Sequence, residues 1–546
     1  MPIDRQNFKA RFGEFNGPDL DFLLNRYNRV NRWVIADMVR RSAHRHPEKA
    51  ALVFQGKPMS YLALEKASNQ TANALIALGV GKYDRVAVLA HNTLHHVLAW
   101  LGCCKAGAVY LPINYLLSST EIQFCINHSE SKVLVVEDAF SDLVENNIAR
   151  MPSIKALIWS NQGMGEPPPS GRFLEFDHWC MQYADVEPDV TLRIEDPCQL
   201  SYTSGTESAP KGVVINNQSL LASYMSCIVD GDYNPSDICI NALPLYHSVQ
   251  RNVFMNPVFY IGGTNILMGP DIGGILENIE TYGATMLFAT PTVWIGMISH
   301  PGFDSYDLSS LKKIYCGMSA MPAEVLKELK KRFDGAKIYN FYGQTELAPY
   351  HTMIKGKALQ EKPGSAGRAG LNMEMRLESD DGRMVRGSGR SGEICGRGPH
   401  VMMMYFKDPE TTENAMEGGW FHSGDLGALD EDGYLSVIDR KKDVVRSGAE
   451  AVISRMVESV IYLDDRVEEV AVVGVPHPDG TDAPIAVIVP AKGCDMHEDE
   501  IFGLCRRHLA SFQVPRKIIF VRALPKTPTG KLLKREIRRK YSEVLK

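Results

Sequence analysis

Tyr202-Thr203-Ser204-Gly205-Thr206-Glu207-Ser208-Ala209-Pro210-Lys211-Gly212-Val213 is a run of hydroxyl side chains and glycines that ends in a lysine. Such a run can turn backbone N–H groups, hydroxyls and one ammonium toward a polyphosphate. It is not a P-loop, because the GxxxxGKS/T spacing is absent. Read alone, it is also compatible with an ordinary Ser/Gly turn. Its surroundings decide its setting. Residues 85–90 read as a buried strand, 94–106 as a helix and 108–112 as the next strand, and 132–136, 156–159, 285–289 and 337–339 repeat the theme. Strands separated by helical segments predict an α/β fold of mainly parallel sheets flanked by helices. The run 161–171 reads as a surface loop.

The 546 residues are enough for more than one domain. Gly and turn residues become dense after about Asp380, and short strands follow. Residues 435–439 read as a strand that runs into the charged Arg440-Lys441-Lys442-Asp443. A smaller α+β unit then begins, with a helix at 454–463 and strands at 469–475 and 485–489, and it ends in a basic tail. This predicts a large N-terminal domain over 1–438, a hinge at 439–442 and a small mobile C-terminal domain over 443–546. As a bare charge run, the hinge segment also reads as a solvated turn.

A net charge of −6 gives no footprint for nucleic acid. The eleven cysteines show no CxxC or Cys/His metal spacing, which fits free thiols in a reducing compartment. The N-terminus has no apolar h-region, and no apolar run approaches the roughly 20 residues of a membrane span. A soluble cytoplasmic enzyme of metabolites is expected.

The opening run resembles the loop of the adenylate-forming superfamily, which includes acyl-CoA synthetases, aryl-CoA ligases, peptide-synthetase adenylation domains and luciferases. That loop reads roughly S/T-S-G-S/T-T-G-x-P-K-G. Thr203, Ser204, Gly205, Thr206, Pro210, Lys211 and Gly212 fit it; Glu207 and Ser208 depart from it. The resemblance runs from about Trp33 to Arg538, with further motifs in the family's order. Asn340-Phe341-Tyr342-Gly343-Gln344-Thr345-Glu346 is similar to YGxTE. By that resemblance Tyr342 stacks on adenine, Thr345 contacts the α-phosphate, and Glu346 holds Mg²⁺ together with Thr206. An aromatic face suits a base, and a carboxylate suits a hard cation on phosphates. Gly317, Met318 and Ser319 stand in the adenine loop. Trp420-Phe421-His422-Ser423-Gly424-Asp425 resembles the W/Y-x-x-T-G-D motif, whose Asp425 accepts from the ribose hydroxyls.

In the hinge signature the resemblance makes Arg440 a nucleotide contact and Lys442 the pivot. Pro525-Lys526-Thr527-Pro528-Thr529-Gly530-Lys531 matches PxTxxGK and makes Lys531 the catalytic lysine. It is an ammonium delivered by domain closure to the charge that develops on carboxylate, α-phosphate and pyrophosphate. The acyl pocket is implied at His247, Val253, Trp294, Gly317 and Met318, each of which core packing would also explain. After the hinge, Arg446-Ser447-Gly448-Ala449-Glu450-Ala451 stands where the family has Gly-Gly-Glu-Asn along the pantetheine tunnel. Ala449 replaces a glycine and Ala451 an asparagine.

The implied reaction joins a carboxylic acid to AMP and then to coenzyme A, using ATP, Mg²⁺ and CoA. Residues 289–295 and 314–322 look most like bacterial fatty-acyl-CoA synthetases, which favours a short- to medium-chain fatty acid, with an aryl or alicyclic acid next. An enzyme that stops at acyl-AMP or loads a carrier protein is an alternative, as is an inactive scaffold on this fold. The expected partners are the acid, ATP and CoA, with no nucleic acid and no integral membrane segment; a homodimer is left open. Two further patterns carry no chemistry. The GxGxxG at 387–392 reads as a surface hairpin, and His95 and His96, adjacent on one helix, face different ways.

Overall fold

The computed structural model describes residues 30–162, 171–203, 210–319, 321–447, 450–478, 481–526 and 532–545, the side chains of 450 and 451 excepted. Two large sheets form the body. The first holds eight strands, with Val109–Pro112, Arg85–Leu89, Val133–Glu137 and Ala156–Ser160 at its centre. The second holds nine, centred on Thr264–Leu267, Ile238–Asn241, Met286–Ala289, Lys313–Cys316 and Lys337–Tyr342. The central pairs in both are parallel; antiparallel strands close both edges of the second sheet and one edge of the first, whose other edge strand, Phe173–Glu175, is parallel. This is the predicted α/β fold, and the parallel strands read as apolar runs because both their faces are covered.

The helix Leu94–Ala106 is buried at every position but its first. A helix apolar all round has no solvent face, and Thr93 caps it by accepting the His96 N–H. Its two histidines are core residues. His95 stacks on Phe176 and bonds Ser160, while His96 bonds the His91 carbonyl and the Tyr110 hydroxyl. Burial lowers the His96 pKa to about 4, so the ring is neutral there.

A third, four-stranded antiparallel sheet comprises Glu374–Glu378, Ser391–Arg397, Phe421–Leu429 and Leu435–Arg440. The sequence showed it only as turns and short strands. The GxGxxG begins on the connection between its first two strands, with Gly387 and Gly389 at φ 95° and 75°, and ends inside the second of them, where Gly392 is buried.

Beyond Arg440 the chain forms an α+β unit. Val445–Ser447 pairs with Glu450–Val452; Val467–Pro476, Asp482–Pro490 and Lys517–Phe520 make a three-stranded sheet; and Ser454–Ile461 and Glu498–His508 pack beside it. Both long strands extend past the predicted limits, and their central residues are buried in an unbroken run. No helix among the described residues is long and apolar enough to cross a membrane.

Candidate active site

The predicted residues gather where the parallel strands of the second sheet end. Tyr342 closes the strand Lys337–Tyr342, and the chain must then turn at once. A Cβ on Gly343 would lie 1.9 Å from the Pro349 carbonyl oxygen, so only glycine fits there. Gly317 ends the neighbouring strand, and a Cβ on it would meet the Phe341 ring at 2.8 Å. Met318 follows with φ 67° and an exposed side chain.

Asp425 and Arg440 are 15 positions apart in sequence. The hairpin turn at Asp430–Tyr434 sets them directly opposite each other on adjacent antiparallel strands. Arg440 Nε lies 3.3 Å from Asp425 Oδ1. The other carboxylate oxygen of this buried aspartate accepts from the Tyr342 hydroxyl at 2.8 Å and from Gln344 Nε2 at 2.6 Å. Gln344 also donates to the Ser423 carbonyl. Three separate motifs thus meet on one carboxylate. Tyr342 holds its proton firmly, since burial and the adjacent Asp425 charge both push its pKa well up.

Glu346 Oε1 accepts from the Tyr405 hydroxyl at 3.1 Å, and the Lys211 ammonium sits 5.2 Å over the Tyr405 ring. Burial raises the Glu346 pKa. Thr345 Oγ1 is 3.2 Å from Ser248 Oγ, which brings the loop carrying half-buried His247 against the YGQTE segment. Thr203 and Lys211 are partners at the loop end of the hairpin formed by Pro197–Thr203 and Lys211–Asn216. Ser204, Gly205 and Thr206 lie outside the described residues, as do Gly448, Ala449 and Lys531.

Several residues stand elsewhere than expected. Trp294 is wholly buried, and its indole N–H is taken by the Tyr315 carbonyl at 3.2 Å; its packing against Phe333 makes it a core residue. Val253 is likewise fully buried, in the cluster of Phe254, Phe288 and Phe341. At the hinge, Lys441 carries the ion pairs, to Glu393 at 2.9 Å and Asp380 at 3.1 Å. The Lys442 carbonyl accepts from Arg538 at 3.5 Å. Arg446 reaches Asp380 at 3.0 Å and is exposed.

Gln344 lay inside a quoted motif without a role. Ser248 and Tyr405 lay in unremarkable runs, and only the fold joins them to the site. The fold also assembles Glu378, Cys395 and His422, which sequence spacing could not show. Glu378 is paired with Arg376, the neighbouring Glu393 with Lys441, and burial pushes the Cys395 thiol up to about 12. Both carboxylates already have cations, and the group serves as a buried charge network. A cavity of about 430 Å³ lies between the two large sheets, bounded by Phe54, His91, Asn92, Glu137, Met268 and Asn278, and no motif residue lines it.

With the geometry in place, the chain's relatives bear on it. Residues 39–406 match the model of the AMP-binding enzyme family, and residues 456–531 match that of the AMP-binding enzyme C-terminal domain. A feruloyl-CoA synthase of Amycolatopsis is 33% identical over 503 residues, 92% of this chain and 98% of that protein. A long-chain-fatty-acid–CoA ligase of Salmonella typhimurium is 30% identical over 540 residues, covering 92% of this chain and 94% of its own. The crystal structure of an anthranilate CoA ligase in complex with anthranoyl-AMP superposes with a TM-score of 0.83 at 25% identity, over 93% of this chain and 97% of that one.

Proposed function

We propose, from the premise that the chain belongs to the AMP-binding enzyme family and is an AMP-forming acyl-CoA synthetase, that its acid is a short- to medium-chain fatty acid and that its nucleotide sits on Asp425. The observation that carries the nucleotide assignment is the meeting of Tyr342, Gln344 and Arg440 on that one buried carboxylate. In this reading the ribose hydroxyls compete for Asp425, the Tyr342 ring faces adenine, and Thr345 reaches the α-phosphate. The acid's carboxylate oxygen attacks the α-phosphorus and the bond to pyrophosphate breaks, with Lys531 offsetting the charge. The CoA thiol then attacks the acyl carbon, AMP leaves with the carboxylate oxygen, and the thiol proton is released. Residues 439–442 are the hinge between the two half-reactions.

Glu346 fits a divalent cation. It is a desolvated carboxylate with one oxygen held by Tyr405, and it has no ion-pair partner among the described residues. Bound there with Thr206, Mg²⁺ would neutralise polyphosphate charge.

Phe254, Phe288 and Phe341 pack behind Gly317 with centroids 4.5–5.9 Å apart, which favours a short acid over a long chain. A second reading, an aryl acid, is favoured by the feruloyl-CoA synthase relative. Acid-dependent ATP–pyrophosphate exchange, run across straight-chain acids of increasing length and across ferulate-like acids with CoA consumption followed in parallel, decides. Best turnover on a short chain supports the first reading; best turnover on an aryl acid replaces it. No exchange with any acid would reject the adenylation chemistry itself.

In sequence, Ala449 replaces the glycine of a family segment that, by the resemblance, lines the pantetheine tunnel. The CoA step is therefore proposed to be slower than adenylation. Rapid quench should show acyl-AMP accumulating, and Ala449→Gly should speed its discharge a few-fold. Discharge as fast as formation, with no gain from the substitution, refutes this.

A further inference from the structure

The loop that carries His247 leaves the strand Ile238–Asn241 and enters a buried π-helix, Gln250–Met255. Two side chains from outside the motifs hold it at Leu245. Asn92 Oδ1 accepts the Leu245 N–H at 2.8 Å, and Asn92 Nδ2 donates to the Leu243 and Met268 carbonyls at 2.9 and 2.8 Å. On the other side, Arg251 Nη1 donates to the Leu245 carbonyl. Both peptide planes flanking Leu245 are thereby fixed, two residues before His247.

Arg251 is an expensive way to do this. It is fully buried, its Nε and Nη2 have no hydrogen-bond partner, and no carboxylate pairs with it among the described residues. Its guanidinium lies 5.4 Å from the Trp100 ring centroid and 4.8 Å from that of Tyr110. Two aromatic faces partly replace the lost water, but an apolar residue would fill this space at less cost. A buried, unpaired cation is retained where its geometry matters. A π-helical turn, frequent at functional sites, carries it. Tyr246 adds a third hold, edge-on to Tyr115 at 5.0 Å, and Ser248 passes the fixed geometry to Thr345.

We infer that Asn92 and Arg251 are positioning residues for acid binding: they clamp Leu245 and so set where His247 and Ser248 stand relative to the YGQTE segment. The inference rests on the reading of the His247 loop as the acid side of the site. Asn92 also lines the 430 Å³ cavity.

The test uses Asn92→Ala, Arg251→Met and Arg251→Lys in the full chain. In acid-dependent ATP–pyrophosphate exchange, the first two should raise the KM for the acid about tenfold or more, the scale of one buried hydrogen bond. The KM for ATP should stay within about twofold, since the Asp425 cluster is untouched. Arg251→Lys keeps a donor for the Leu245 carbonyl and should fall between wild type and Arg251→Met; it carries the test if Arg251→Met does not fold. Amide hydrogen exchange over residues 243–248 should quicken in the variants while the 94–106 helix keeps its protection. Unchanged acid KM with unchanged exchange at 243–248 overturns the inference. So does a parallel rise in both KM values, which marks a general structural role. If the wild type shows no acid-dependent exchange, the functional reading fails instead, and hydrogen exchange alone still judges the clamp.

Discussion

The nucleotide end of the site and the hinge are both built from charged side chains, yet they are held in opposite ways. Around Asp425, whose side chain is 9% exposed, Tyr342 and Gln344 make short bonds and Arg440 stands 3.3 Å away. Around Asp380 the partners Lys441 and Arg446 stand 40% and 78% exposed, and Asp380 itself is 64% exposed. Exposed ion pairs contribute about 0–1 kcal/mol, whereas hydrogen bonds to charged groups inside a protein contribute about 1.5–3 kcal/mol. A region that must stay preorganised is tied by the second kind. A region that must let go between two half-reactions is tied by the first. Arg440 and Lys441 are adjacent in the chain and similarly exposed, 38% and 40%, so the contrast arises from the burial of the carboxylates they face, Asp425 at 9% and Asp380 at 64%.

The largest expected effect breaks the contrast at its catalytic end. Lys531→Ala should lower acyl-AMP formation at least about a hundredfold, the scale of removing one preorganised electrostatic stabiliser. Thioester formation from supplied acyl-AMP should be nearly unchanged, since the hinge is proposed to carry Lys531 away before that step. Equal loss in both half-reactions would refute the rotating-domain reading. Next, Asp425→Ala should weaken ATP binding roughly ten- to a hundredfold, from the loss of charged hydrogen bonds of about 1.5–3 kcal/mol. It also leaves Tyr342 and Gln344 without their shared acceptor. An unchanged ATP affinity, by calorimetry or exchange kinetics, would mean the ribose lies elsewhere.

The buried tie was more legible in the sequence than the device that supports it. Tyr342, Asp425 and Arg440 could be named because each sits in a local motif, and the DEDG turn alone aligns two of them. Gly343 was readable as a motif glycine, though its cause, the Pro349 carbonyl, was not. Tyr405, Asn92 and Arg251 gave no local signal, because their roles depend on distant partners that only the packed sheets bring into reach: Glu346 59 positions from Tyr405, Leu245 153 from Asn92, and Tyr110 141 from Arg251. The parallel sheets were legible from apolar runs alternating with helical patterns. The antiparallel third sheet was not, because its half-exposed strands and glycine-rich turns look locally like loop. Trp294 misled for a related reason: a large ring near a pocket motif has the same sequence appearance whether it lines a cavity or fills the core.

Between the two regions lies Glu393, which is buried but holds the hinge residue Lys441. Burial alone would raise its pKa, but Lys441 and the Gly424 N–H outweigh it and leave the pKa below the ordinary 4.5. A carboxylate whose folded pKa is depressed stabilises the fold above its unfolded pKa and loses that contribution as pH falls through the folded value. Glu393→Gln should therefore cost roughly 1–2 kcal/mol at pH 7, the low end for a charged hydrogen bond. In denaturant melts the difference from wild type should shrink as the pH falls below the ordinary 4.5 and vanish once it has passed below the depressed folded value. A deficit that persists at low pH would assign the effect to packing and not to charge.

The smallest effect sharpens the comparison most. Asp380→Asn removes the charge that Lys441 and Arg446 share, and it does so at the surface, so global stability should change by less than about 1 kcal/mol. The pairs nevertheless bridge residues on either side of the proposed hinge, joining Asp380 beyond the third sheet's first strand to Arg446 past the pivot. If they bias one domain arrangement over another, losing even about 0.7 kcal/mol shifts that balance roughly threefold. The ratio of the two half-reaction rates should then move by about that factor while ATP affinity stays put, and added salt should shift the wild type in the same direction by screening the same pairs. A ratio indifferent to both the substitution and salt would mean the exposed pairs do not bias the arrangement, and that the hinge's balance is set by buried contacts such as Lys441 with Glu393.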